Sequence, residues 1–115
     1  MNKENILSKI GKMSEKELKD LARSTSDVET LKTLAENANY EVRCTVAENK
    51  NTPVELLAVL AQDEDYWVRW AVALNKNTPI ETLVFLSKDN NEWVSERAEE
   101  ALKERTVKKE QNIER

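Results

Sequence analysis

Asn51-Thr52-Pro53-Val54-Glu55 recurs as Asn77-Thr78-Pro79-Ile80-Glu81, 26 residues further along the chain, and this offset decides the fold. Leu31, Leu57 and Leu83 keep the same spacing, as do Leu34, Leu60 and Leu86. So do Val42, Val68 and Val94, and then Val46, Val72 and Ala98. Three tandem units follow, over roughly residues 26–51, 52–77 and 78–103, and a weaker copy from Ser14 to Arg23 precedes them as a cap.

Each unit divides into two helices. Thr52 and Thr78 stand where a side-chain oxygen accepts from the backbone N–H groups of a helix start. Pro53 and Pro79 suit the first helical position, and Glu55 and Glu81 complete an S/T-x-x-E capping box. Ser26 with Glu29, and Ser14 with Glu17, repeat the signature. Val54, Leu57, Leu60 and Ala61 fall on one face, as do Val28, Leu31, Leu34 and Ala35, which predicts amphipathic first helices of about three turns. The second helices start at the capping residues Asn39, Asp65 and Asn91 and bury Val42/Val46, Val68/Val72 and Val94/Ala98. They reach Asn49, Asn75 and, in the last unit, beyond Leu102. A hairpin this small cannot cover its own apolar face, so neighbours stack on a shared core. The expected fold is all-α, a short right-handed α-solenoid in a single domain. Capping helices occupy 1–24, with Ile6, Leu7 and Ile10 turned inward, three repeats occupy 25–103, and a charged tail over 104–115 extends the last helix or frays.

Composition agrees with this and excludes much else. The 115 residues include one Gly, two Pro and six aromatic residues, and 35% are charged, with a net charge of −4. Without His, and with Cys44 as the one cysteine, the chain has no His-based acid–base chemistry, no His/Cys zinc site and no intrachain disulfide. No enzyme activity, cofactor or metal is expected. Scattered basic residues in an acidic chain argue against nucleic acid as a partner. The N-terminus lacks the apolar core of a signal peptide and no run approaches the ~20 apolar residues of a membrane span, so a cytoplasmic location is expected.

The segments Thr52-Pro-x-Glu-Leu-Leu-x-x-Leu-Ala-x-Asp63 and Asp65-x-x-Val68-Arg69-x-x-Val72-Ala73-x-Asn75 resemble HEAT-like repeats, and more closely the leucine-rich repeat variant. The likeness covers about residues 25–103. It implies the solenoid fold and, for function, a binding surface. One branch of that family holds a cysteine-liganded iron–sulfur cluster, which needs several cysteines where this chain has Cys44 alone.

Several residues invite a functional reading. Arg43 and Arg69 share the Val-Arg position of successive repeats, but Ser95 interrupts the series. In HEAT-like stacks this arginine bonds the inter-helix turn of an adjacent unit, where Asn37, Asp63 and Asp89 stand here, and that role is preferred to phosphate binding. Asp63, Glu64 and Asp65 lack the further ligands and the glycine of a calcium loop, so helix capping accounts for them. Cys44 reads as a small, half-buried side chain.

The informative feature is tryptophan. Trp67, Trp70, Ala71 and Leu74 form a second apolar stripe on a helix that already buries Val68 and Val72. From Val68, Trp70 points about 160° away, towards the concave surface that second helices line in a solenoid. Trp67 and Trp93 either pack between repeats or join Trp70. The expected function is protein binding through Trp67, Trp70, Leu74 and Trp93, rimmed by Glu41, Glu48, Glu96 and Glu100, which favours a partner with a basic or apolar segment. Val59 and Phe85 leave apolar surface on the convex side, covered by the tail or by a second copy in a homodimer. Two rivals are a small standalone inhibitor that occludes an enzyme, and a nucleic-acid or DNA-repair protein resembling the HEAT-like DNA glycosylases, whose concave faces pair Trp with a carboxylate and basic residues.

Overall fold

The structure, a computed structural model, describes residues 3–113, with side chains described for 4–107. Its helices are α1 (Lys3–Ile10), α2 (Glu15–Ser24), α3 (Val28–Leu34), α4 (Tyr40–Glu48), α5 (Val54–Leu60), α6 (Tyr66–Leu74), α7 (Ile80–Ser87) and α8 (Glu92–Ile113). No strand occurs among the described residues. The even-numbered helices α2, α4, α6 and α8 stack one on the next, and α3, α5 and α7 each pack on the second helix of their own hairpin. The result is an elongated stack of helical hairpins, 52 × 33 × 20 Å.

Every one of the leucine, valine and alanine positions that set the 26-residue period is buried, at 0–2% exposure. Burying such side chains stabilises by roughly 1.5–3 kcal/mol each relative to leaving them in water. The unit before the repeats follows the same plan. α1 packs on α3 as a first helix would, and α2 packs on α4 as α4 packs on α6, burying Leu18 and Ala22. Ile6 is buried and Ile10 partly so, but Leu7 is half exposed, because α1 has a neighbour on one side only.

Two sets of local expectations change. The first helices run for seven or eight residues, about two turns. Val28 and Val54, at their first position, remain exposed, since the partner helix lies against the second turn. Nor do the hydroxyls of Thr52 and Thr78 cap α5 and α7. They turn back and donate to Val46 O and Val72 O at 2.6 and 2.7 Å, while Pro53 and Pro79 are the capping residues, with no side-chain bond. A buried hydroxyl between two helices satisfies the end of the preceding helix better than a solvent-facing cap would. At α3 the cap is Asp27, not Ser26, accepting from Thr30 N at 3.1 Å. The Ser14–Glu17 capping box at α2 forms as expected.

Polar side chains knit the hairpins. Asn49 donates to Ala22 O and Thr25 O at 2.7 and 2.9 Å, and Asn75 donates to Ala47 O and Asn49 O at 2.8 and 3.1 Å. Each amide oxygen also accepts the backbone N–H two residues on, from Asn51 and Asn77. In the last unit Ala101 takes the place of asparagine, and α8 runs on so that Arg105 donates to Lys76 O at 2.9 Å and to Thr78 O. The tail therefore extends α8 rather than folding over the convex side.

Candidate interaction groove

The arginines are structural. Arg43 donates from Nε and Nη2 to Asp63 at 2.9 and 3.1 Å, and from Nη1 to Asn37 O and Ala38 O at 2.7 and 3.1 Å. Arg69 repeats this with Asp89 and with Asp63 O and Glu64 O. Each arginine thus joins its own turn to the next one. The interruption at Ser95 and the neutral Asn37 follow from that direction. Asn37 meets no arginine from a preceding unit, because Lys19 stands at that position of α2 and pairs with Glu41 instead. Asp65 caps α6 through Trp67 N at 2.8 Å, and the Glu64 side chain is 91% exposed, so the acidic run is accounted for by capping and pairing. Among the described residues no group of three or more His, Cys, Asp and Glu is placed to hold a metal ion.

A groove of about 540 Å³ opens along the second helices, between α2, α4 and α6. Trp67 and Trp70 lie in its wall, with ring centroids 5.8 Å apart in an edge-to-face arrangement, and Tyr66 stacks at 5.0 Å on Trp67. Edge-to-face geometry is what the ring quadrupoles favour. Trp67 is 40% and Trp93 65% exposed, so neither is packed between repeats. Trp70, by contrast, is half-buried and rests against the core. A wheel drawn on α6 alone puts it in solvent, but the short Cys44 side chain at the equivalent position of α4 leaves room for the indole beside it.

The groove gathers Trp67, Trp70, Glu41 and Glu48 from the expected set. Leu74, half-buried in the last turn of α6, lies outside it, as do Trp93, Glu96 and Glu100 on α8, the next helix of the stack. Glu100 instead accepts from Arg97 at 2.7 Å. The rim is also not acidic throughout. Lys16, Lys19 and Arg23 of α2 face Asp20, Glu41 and Glu48, a balance of three cations and three carboxylates. Lys19 meets Glu41 at 3.4 Å, and Asp20 lies 3.6 Å from Lys16 and 3.1 Å from Arg23. Tyr40, at the first position of α4, completes the wall. Tyr40 and Tyr66 were legible in the sequence, 26 residues apart directly after the caps Asn39 and Asp65. The cations of α2 were not, because α2 does not keep the 26-residue register.

Cys44 lies on the groove floor. Burial, and then the carboxylates of Asp65, Glu48 and Asp63 against the weaker opposing effect of Arg43, push its thiol up to about 12. It is a protonated, half-buried side chain at neutral pH.

On the convex side Val59 and Phe85 are 62% and 55% exposed. They line separate hollows, Val59 one between α3 and α5, Phe85 one between α5 and α7. No helix among the described residues is long and apolar enough to cross a membrane. No curated protein and no solved structure matches the chain at a significant level. Residues 40–65, from the start of α4 to the cap of α6 and so one repeat long, match the family model of the leucine rich repeat variant, the family that the junctions and the Val-Arg helices resemble.

Proposed function

We propose that the protein is a non-enzymatic interaction module that docks a segment of a partner protein in the groove between α2, α4 and α6. One observation carries the reading. The chain has six aromatic residues and none of them is buried. Five of the six, Tyr40, Tyr66, Trp67, Trp70 and Trp93, stand on the second helices, and the core is built without them from leucine, valine, isoleucine and alanine. An aromatic ring buries 150–250 Å² and is the most rewarding side chain to place in a core, so a chain that keeps all of its rings outside the core holds them for another surface. The repeat family found at residues 40–65 is of a kind generally associated with protein interaction, which supports the reading.

Photo-crosslinking tests it. A benzophenone amino acid placed at Tyr40 or Thr45, in the groove, should capture a discrete partner in the cells that make the protein, and one at Glu29 on the opposite helix layer should not. Capture from Glu29 alone would move the interface to the convex side.

A further inference from the structure

The charges of the groove are paired off with one exception. Lys16, Arg23 and Asp20 satisfy one another on α2, and Lys19 holds Glu41 across to α4. Glu48 lines the same groove and makes no ion pair or hydrogen bond among the described residues. It stands one turn from Cys44 on α4, and Trp70 and Trp67 of α6 line the same groove. Its charge is felt there, since Glu48 is among the groups that raise the Cys44 thiol. An unpaired carboxylate that shares a groove with two indoles supplies both halves of a site for a guanidinium or ammonium group, the ring faces attracting the cation and the carboxylate accepting its hydrogen bonds. The existing cations of α2 are engaged elsewhere, Lys16 and Arg23 with Asp20 and Lys19 with Glu41.

Resting on the docking role proposed above, we infer that the groove selects a partner segment carrying an arginine or lysine next to an apolar residue, with the cation set between Glu48 and the Trp67–Trp70 pair. Arginine is the better fit, because its plane stacks on an indole while its edge still donates to a carboxylate. The balanced rim matters as well. The internal pairs of α2 and of Lys19 with Glu41 leave the groove without a net field of its own, so selection depends on the local contact with Glu48 rather than on bulk attraction.

The test is selection of an unbiased phage-displayed library of short random peptides on the full chain, with the recovered peptides then titrated against variants. The expected result is enrichment of arginine- or lysine-containing peptides with an adjacent apolar residue. Their affinity should fall about tenfold in Glu48→Gln and at least as much in Trp67→Ala, and change little in Lys19→Gln. Both informative variants alter exposed side chains, and an unchanged helical circular dichroism spectrum establishes that they fold. Peptides that need Trp67 but are neutral or acidic, or that bind Glu48→Gln as well as the unmodified protein, overturn the cation assignment and leave the docking groove standing. Peptides indifferent to Trp67→Ala and Trp70→Ala, or no enrichment over a Trp67→Ala control, overturn the groove itself.

Discussion

Arg43 grips Asp63 through two parallel hydrogen bonds of 2.9 and 3.1 Å, and both side chains are nine-tenths covered, so a buried ion pair spans the junction between one repeat and the next. The same arginine holds two carbonyls of its own turn. One side chain therefore fixes the end of α3, the start of α4 and the turn that follows α5. The hydrogen bonds that Arg43 donates to the Asp63 carboxylate raise its guanidinium above its ordinary range against the opposing effect of burial.

Asymmetry between removing one partner and both should follow. Asp63→Ala strands a buried guanidinium and is expected to cost about 3–5 kcal/mol, whereas replacing the pair together, Arg43→Met with Asp63→Leu, should cost much less. Urea melts of the two single variants and the double variant measure the coupling. Strictly additive losses would show that the two side chains do not depend on each other.

Asn75 is the next test. Its amide is buried and satisfies Ala47 O, Asn49 O and Asn77 N–H, so Asn75→Ala leaves three backbone groups without their partner and is expected to cost about 1–3 kcal/mol. Asn77→Ala removes one exposed bond to Lys50 O and should cost a few tenths of that. Amide hydrogen exchange at Asn77 should speed up in Asn75→Ala well before global unfolding.

These asparagines and arginines mark how far the sequence could be read. The 26-residue period located the core because burial requires the same apolar position in each unit, and Leu57 or Val72 has one way to satisfy that requirement. Thr52 was less legible. A threonine before a proline reads as a helix cap, and nothing local says that its hydroxyl instead turns back to Val46 O. Trp70 was legible in part: it lines the groove, but it also rests on the core, and a wheel drawn on one helix carries no neighbours. The cations of the groove escaped notice because α2 buries Leu18 and Ala22 where α4 buries Val42 and Val46, an offset of 24 rather than 26 residues.

Cys44 gives a pH signature. Its thiol titrates near 12 in the folded chain and near 9.0 when released, so the native state holds its proton over a range where the unfolded chain has lost it. The contribution to stability is complete below about pH 9 and is lost as the pH rises towards 12. Cys44→Ala should flatten that part of the stability profile. At pH 8 a thiol reagent should label the native protein slowly and the urea-unfolded protein at the rate of a free cysteine.

Burial and binding can be separated by comparing Leu57, Trp70 and Trp93. Leu57 is fully buried with repeats on both sides, so Leu57→Ala is expected to cost about 2–5 kcal/mol and to unfold its neighbours with it, since no hairpin of this stack closes a core alone. Trp93 is 65% exposed, and Trp93→Ala should stay within about 0.5 kcal/mol of the unmodified protein. Trp70 belongs between them, because one part of its ring rests on the core and the rest lines the groove. Thermal melts of the three variants should therefore rank Leu57→Ala below Trp70→Ala and Trp70→Ala below Trp93→Ala. A Trp70→Ala loss as large as that of Leu57→Ala would make the indole a core residue that reaches the groove incidentally, and its place in the docking surface would then fall to Trp67.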